Sequence, residues 1–302
     1  DAGPGLTGHG RPVRGETPEG KRLVCPPRGK KVLAVVGDGV LWLRTGCAGT
    51  IEKIEERPNL FYRSDEIRTK SFAANLDQVL ILIAADPEFS ESQLTRALIA
   101  AEAERITPVI ALNKSDLTAP FARAWARLEP YRRMGYTVLP LALKPAGGNS
   151  ESTVVPLQQQ LAGKTTLVLG PSGSGKSTLI NLLVPGAQVL TGEISTALNS
   201  GKHTTTSANL YWVDKARTTA LIDSPGFQEF GLQHIEATQL ASLMPDLRHW
   251  VKDCRFYNCT HLHEPGCGLI AALKTNASPP EVSPTRYKLY SDLFSELSQR
   301  RY

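Results

Sequence analysis

Nine consecutive residues, Gly170-Pro171-Ser172-Gly173-Ser174-Gly175-Lys176-Ser177-Thr178, fit the pattern G-x-x-x-x-G-K-[ST]. Glycines at this spacing let the backbone curl until successive N–H groups point inward, as phosphate oxygens require. Lys176 then supplies a point charge for the β- and γ-phosphates, and Ser177 a hydroxyl for Mg²⁺. A second tetrapeptide, Asn113-Lys114-Ser115-Asp116, suits a base. The Asp116 carboxylate can accept from the N1–H and the exocyclic N2 amine of guanine together. Adenine has an acceptor at N1 and no such amine, so its edge would oppose the carboxylate and leave it unpaired. The expected nucleotide is therefore GTP, with GDP as product. A third group, Asp223-Ser224-Pro225-Gly226, places a carboxylate for Mg²⁺ and a backbone N–H (Gly226) for the γ-phosphate. Either short motif alone could be a plain polar turn; beside a phosphate loop in the same sheet they describe one nucleotide site.

Cys254-x₄-Cys259-x-His261-x₅-Cys267 gathers three thiolates and an imidazole in fourteen residues. Zn²⁺ takes four such ligands tetrahedrally, and a closed set of four is structural rather than catalytic. His263, two residues on, competes for the fourth place. Cys25 and Cys47 are expected to be plain buried thiols. Five cysteines are too few, and odd in number, for a disulfide scaffold. A reducing, cytoplasmic location fits this usage.

The elements that must position these groups follow from periodicity. Thr165–Leu169 is a buried strand entering the phosphate loop, and Ser177–Val184 the helix leaving it, with its N-terminal partial charge toward the phosphates. Gln78–Ala84 is a continuous apolar run, as in a parallel strand covered on both faces. Ser90 with Gln93 forms a capping box ahead of Leu94, Leu98 and Ala101 at helical spacing. Pro108–Leu112 and Thr137–Leu141 are further strands. Between them Phe121, Trp125 and Leu128 mark a helix ending near Gly135. Pro145–Thr153 is a polar loop, Val155–Leu161 a short helix, and Asn209–Val213 with Thr218–Ile222 a pair of strands. This is a wound parallel sheet.

Upstream, from Arg22 to Phe72, short β-rich runs divided by turns (Lys31–Val36, Val40–Leu43, Thr50–Glu56 and Asn59–Arg63) suggest a small antiparallel barrel. Lys21, Arg22, Arg28, Lys30 and Lys31 beside it could follow a phosphate backbone, or could simply be solvated charges. The chain of 302 residues, 41% hydrophobic and 21% charged, exceeds one small domain. Its net charge of +5 permits an anionic partner without requiring one. No apolar run approaches the roughly 18 residues of a membrane span, and no coiled-coil pattern calls for an obligate dimer, so a monomer away from membranes is expected.

The motif order is unusual: N-K-x-D precedes the phosphate loop, which precedes D-x-P-G. Circular permutation accounts for it, because the termini of such domains lie close together at the surface. This order, the upstream barrel, the run Gly201-Lys202-His203-Thr204-Thr205-Thr206, the stretch Arg57-Pro58-Asn59 through Gln78 and the cysteine cluster together resemble the RsgA/YjeQ family. The resemblance covers about residues 21 to 302. It implies a multidomain chain: an OB-fold β-barrel (21–74), a circularly permuted α/β P-loop GTPase domain (75–232) and a mainly helical zinc-binding domain (233–302); ahead of it, residues 1–20, rich in Gly, Pro and Arg, are expected to be a flexible N-terminus. It also implies GTP hydrolysis in late maturation of the 30S ribosomal subunit, stimulated by that subunit, with 30S and its rRNA as partners. In the family a first-switch histidine, matching His203, positions the attacking water. Here Phe227 stands where Ras-like enzymes have a glutamine. One of Thr204, Thr205 or Thr206 completes the magnesium set with Ser177 and Asp223; Thr205 is our candidate among them. Ala142-Leu143-Lys144 is a poor version of the S-A-K element that usually backs guanine, so no base contact is assigned there. With no arginine finger identifiable, slow basal turnover is expected. One rival reading is a phosphotransferase acting on a small molecule, and the acceptor pocket and base it would need are not evident; a second is a zinc- and barrel-based RNA-binding module whose nucleotide site only locks conformation.

Overall fold

The computed structural model describes residues 2–8, 13–17, 20–25, 34–45, 48–65, 69–144, 151–184, 186–189, 208–225, 230–275 and 282–299. The N-terminal part is antiparallel sheet: β1 (Ala2–Gly8), β2 (Val13–Glu16), β3 (Arg22–Cys25), β4 (Gly39–Thr45) and β5 (Ala48–Ile54), then the hairpin β6 (Leu60–Ser64) and β7 (Thr69–Ala74). Residues 1–20, expected to be flexible, thus contain two strands. Glycine and proline are poor strand formers, yet β1 has backbone partners in β2 and β4 and again in the distant segment 208–209. Cys25, Ala34, Val40, Trp42 and Ile51 form a small core of their own. Of the expected strand Lys31–Val36, the described part contributes only a bridge from Val36 to Ala73.

The passage from this part to the next is fixed by side chains. The buried Asp38 carboxylate accepts from Arg57 Nε (2.6 Å) and Nη2 (2.8 Å) and from the Val35 N–H. Asn59 exchanges two hydrogen bonds with the Leu76 backbone.

The central sheet is built from β8 (Gln78–Ala84), β9 (Thr107–Asn113), β10 (Thr137–Pro140), β11 (Thr165–Leu169), β12 (Ala208–Trp212) and β13 (Ala220–Asp223). Its order is β10-β9-β8-β11-β13-β12, parallel except for β12 at the end, and β12 continues into β1, β2 and β3. Every residue of β8 is buried. Val79, Ile81 and Ile83 point into one apolar layer and Leu80 and Leu82 into the other, the period-2 alternation of a strand covered on both faces.

Helix α1 (Glu91–Ala103) starts where the capping box placed it, the Ser90 hydroxyl accepting from the Gln93 N–H. The single helix expected up to Gly135 is two, α2 (Thr118–Arg127) and α3 (Glu129–Arg133). They part at Leu128, since Pro130 has no N–H to continue the ladder. Helix α4 (Glu151–Leu161) begins earlier than expected. The Thr153 hydroxyl accepts from the Ala142 N–H and ties its first turn to the loop after β10. Helix α5 (Lys176–Leu183) leaves the phosphate loop.

Beyond it come a 3₁₀ segment (Ala237–Leu243) and α6 (Pro245–Val251), α7 (Gly268–Leu273) and α8 (Pro284–Ser298). These share the larger apolar layer with α1. The fully buried Arg286 of α8 pins them. It donates to both oxygens of Asp246 at 3.0 Å and to Thr95 Oγ1 at 2.7 Å, and lies over the Tyr131 ring. Arg96 of α1 pairs with Glu296 of α8 and donates to the Phe230 carbonyl. No helix of the described residues is long and apolar enough to cross a membrane.

Candidate functional site

The ends of β8, β9, β11 and β13 converge at the phosphate loop. Gly175 takes φ +100°, and a Cβ there would lie 2.4 Å from Asn113 Nδ2, so only glycine fits. Gly173 is also left-handed, at +81°. Lys176 opens α5 and pairs with Asp223 (Nζ to Oδ1, 3.0 Å), both being largely buried. Burial pushes the Asp223 carboxyl above its ordinary range while Lys176 pulls it back. Ser224 Oγ donates to the Val168 carbonyl at 2.7 Å, holding the end of β13 against β11.

Two buried polar atoms at this loop, Asp223 Oδ2 and Ser174 Oγ, lack a hydrogen-bond partner among the described residues. An orphaned, buried carboxylate oxygen, with Ser177 half-buried in the same phosphate loop segment, fits a divalent cation bound directly or through water. Mg²⁺ therefore suits the residues present.

The guanine motif is built into the same loop. Asn113 Nδ2 donates to the Ser174 carbonyl (3.0 Å), and its Oδ1 accepts from the Leu143 N–H (3.2 Å). Its side chain therefore faces the phosphate loop and the loop after β10, a linking role the motif alone did not disclose. Lys114 adopts φ +69°, the Ser115 N–H donates to the Leu141 carbonyl, and Asp116 is exposed at the mouth. Leu143, in the segment given no base contact, joins the site through its backbone. His203, Thr204, Thr205, Thr206, Gly226 and Phe227 lie outside the described residues, as do Cys47 and the basic residues Arg28, Lys30 and Lys31.

The structure brings Cys254, Cys259, His261 and Cys267 together, their ligand atoms all within 4.8 Å of one another. Cys254 and Cys267 Sγ are 3.8 Å apart, and His261 Nδ1 is 3.3 and 3.5 Å from them. Tetrahedral zinc with bonds of about 2.3 Å to sulfur and 2.0 Å to nitrogen needs about 3.8 Å between sulfurs and about 3.5 Å from sulfur to nitrogen. The cluster is compatible with Zn²⁺. His261 turns Nδ1 toward the Cys254 and Cys267 sulfurs, and His263 is exposed and not part of the set. Glu264, not foreseen, organises the loop. Burial works against its charge, but the Thr260 hydroxyl and N–H, its own N–H and the His263 N–H hold it well below the usual carboxylate range, and the Leu262 N–H also donates to it. Tyr287 and Tyr290 of α8 donate to the His261 and Thr260 carbonyls.

The family model for the RsgA GTPase matches residues 54–233, three motifs included. The chain belongs to the RsgA GTPase family. It is 68% identical over 297 residues to the small ribosomal subunit biogenesis GTPase RsgA of Variovorax paradoxus, covering 98% of this chain and 92% of that protein. To the protein of the same name from Burkholderia pseudomallei it is 51% identical over 281 residues, 93% of this chain and 87% of that one. Its structure resembles YjeQ from Thermotoga maritima, with a TM-score of 0.74 at 28% identity over 99% of both chains. It also resembles YloQ, described as a circularly permuted GTPase, with a TM-score of 0.73 at 26% identity over 100% of this chain and 96% of that one. As an RsgA-family member the chain is a GTP hydrolase of small-subunit biogenesis. The motif order of this chain accords with that description.

Proposed function

We propose that the chain binds the 30S subunit and its rRNA, and that this contact switches on a slow GTPase during late maturation. The observation that carries the nucleotide part is the Asn113 side chain, bonded to both the Ser174 carbonyl and the Leu143 N–H. It holds the guanine motif and the phosphate loop in one register, so that base and phosphates are read together.

Bound nucleotide draws Lys176 from Asp223 to the β- and γ-phosphates, leaving Asp223, with Ser177 and Thr205, to hold Mg²⁺. That ion supplies charge neutralisation. Residues 170–178 wrap the phosphates, with Gly170, Ser172, Gly173, Ser174, Gly175 and Thr178 contributing backbone or hydroxyl donors, and Pro171, which has no N–H, fixing the course of the loop. Asn113, Lys114, Ser115 and Asp116 hold guanine, and Gly226 meets the γ-phosphate. His203 accepts a proton-side hydrogen bond from the attacking water and orients it. We further infer that residues 21–74 form an OB-fold, 75–232 the GTPase domain, and 233–302 a zinc-binding domain with Cys254, Cys259, His261 and Cys267 on one structural Zn²⁺. The OB-fold and zinc domain face the RNA. The protein works as a cytoplasmic monomer.

The deciding experiment is GTP hydrolysis by the purified chain with and without 30S subunits, with 50S subunits and ATP as controls. Stimulation by 30S alone and with GTP alone is expected. Equal rates in all arms would leave the nucleotide site standing and remove the switch. In His203→Ala, GTP binding should persist while stimulated hydrolysis is lost; unchanged hydrolysis would remove His203 from the chemistry.

A further inference from the structure

Between two of the cysteines, the chain runs Cys254-Arg255-Phe256-Tyr257-Asn258-Cys259. This turn is held at both ends. Cys254 and Cys259 belong to the metal-compatible cluster, the Arg255 N–H donates to the Gly266 carbonyl at 2.9 Å, and the Cys259 N–H donates to the Phe256 carbonyl at 3.3 Å. Yet its tip is aromatic and turned outward. Tyr257 is fully exposed and Phe256 is 41% exposed. The Arg255 guanidinium stands 5.5 Å from the Phe256 ring centroid, and Lys252 is exposed nearby, against one exposed carboxylate, Asp253.

Leaving two neighbouring rings in water forfeits their burial, so packing within the chain does not explain them. We propose that this turn is a stacking platform for unpaired bases of single-stranded RNA, with Tyr257 as the principal ring, Phe256 backed by Arg255 as the second, and Lys252 toward the phosphates. Base faces stack on aromatic and guanidinium planes where a strand is unpaired, and a cationic flank suits its backbone. A protein partner is less well matched. Among the described residues from 230 onward no exposed large aliphatic side chain accompanies the two rings, whereas protein interfaces have an apolar core around their aromatic anchors. The turn is rigid because its ends are tied to the cluster, so stacking orders little chain. The proposal rests on the reading that this domain faces rRNA, and narrows it to two side chains and one kind of RNA.

The test uses the full zinc-loaded chain and a short fluorescein-labelled oligouridine, followed by anisotropy, with a blunt RNA duplex as control. Tyr257→Ala should weaken oligouridine binding about tenfold and leave duplex binding and zinc content unchanged. Tyr257→Phe should bind within about twofold of the original, because the ring and not the hydroxyl stacks. Phe256→Ala should weaken binding less than Tyr257→Ala. Unchanged oligouridine affinity in Tyr257→Ala overturns the platform. If that variant instead loses only 30S-stimulated hydrolysis, the ring docks a protein and the proposal is equally overturned. A chain that 30S fails to stimulate, but whose oligouridine affinity falls as stated in Tyr257→Ala, would retain the platform and lose the broader reading.

Discussion

The phosphate loop and the cysteine cluster each gather a few polar groups suited to a cation, but what holds them differs. At the phosphate loop, strands β8, β9, β11 and β13 lie in the middle of a sheet covered on both faces. Lys176 and Asp223 Oδ1 neutralise each other there, so the loop is held by its surroundings even though Asp223 Oδ2 and Ser174 Oγ have no partner among the described residues. The cluster sits where residues 252–267 contain no helix or strand, and its ligands are held near one another by a carboxylate, Glu264, and two tyrosines. Three thiols and an imidazole within 4.8 Å have little reason to stay together unless a cation takes their charge. One site is made by the core; the other is a loop-borne ligand set compatible with zinc.

The largest effect that can break this comparison is removal of the ion. Structural zinc contributes about 10–16 kcal/mol in small domains. Chelation, or Cys254→Ser, should therefore abolish bound zinc and lose the helical signal of α6 and α7. GDP affinity should change by less than about threefold, since the two sites share no partner among the described residues. A large loss of GDP affinity would mean that the cluster also supports the phosphate loop. Lys176→Ala is the converse, with an expected loss of about a thousandfold in stimulated turnover and zinc retained. It also leaves Asp223 buried without its cation. Burial already raises that carboxyl and Lys176 lowers it, so the variant's value must rise further. A folded-state value above the unfolded one adds stability at low pH and loses it as pH climbs through the folded value. The melting temperature of Lys176→Ala, relative to the parent, should thus improve on acidification from neutral pH; a flat difference would show that Asp223 finds another partner.

Arg286 measures how firmly the two regions are joined. Removing one member of a buried, hydrogen-bonded ion pair costs about 3 kcal/mol or more, and Arg286→Ala would strand Asp246 and leave Thr95 short of a donor. Thermal or denaturant unfolding should show that loss, with nucleotide affinity less affected than stability. None of this was visible in the sequence, where Arg286 is one basic residue in an ordinary helical segment; its burial depends on α1 and α3, far away in the chain. The motifs were legible for the opposite reason. The phosphate loop, the cysteine spacing, the Ser90 cap and the apolar run of β8 are each contained within a few residues, and local geometry dictates their chemistry. Pairing of β1 with β12 depends on partners some two hundred positions apart (Thr7 with Asn209) and on glycine-rich sequence that has no period to read. The break at Leu128 was signalled by Pro130, but apolar spacing across it concealed the signal.

Asn113 gives the smallest and sharpest test, because it lies within the site the core is said to make. Its amide donates to Ser174 and accepts from Leu143, and it is itself buried. Asn113→Ala leaves a buried carbonyl and a buried N–H unpaired, at about 1–3 kcal/mol, so GDP affinity should fall by roughly tenfold with turnover of bound GTP less altered. Asn113→Asp sharpens the argument. A carboxylate can still accept from the Leu143 N–H, but its other oxygen then faces the Ser174 carbonyl, acceptor against acceptor, in a buried place. The isosteric aspartate should accordingly bind GDP more weakly than alanine does. If aspartate instead binds as well as asparagine, the Ser174 contact contributes nothing, and the register between guanine motif and phosphate loop must be kept by the strands alone.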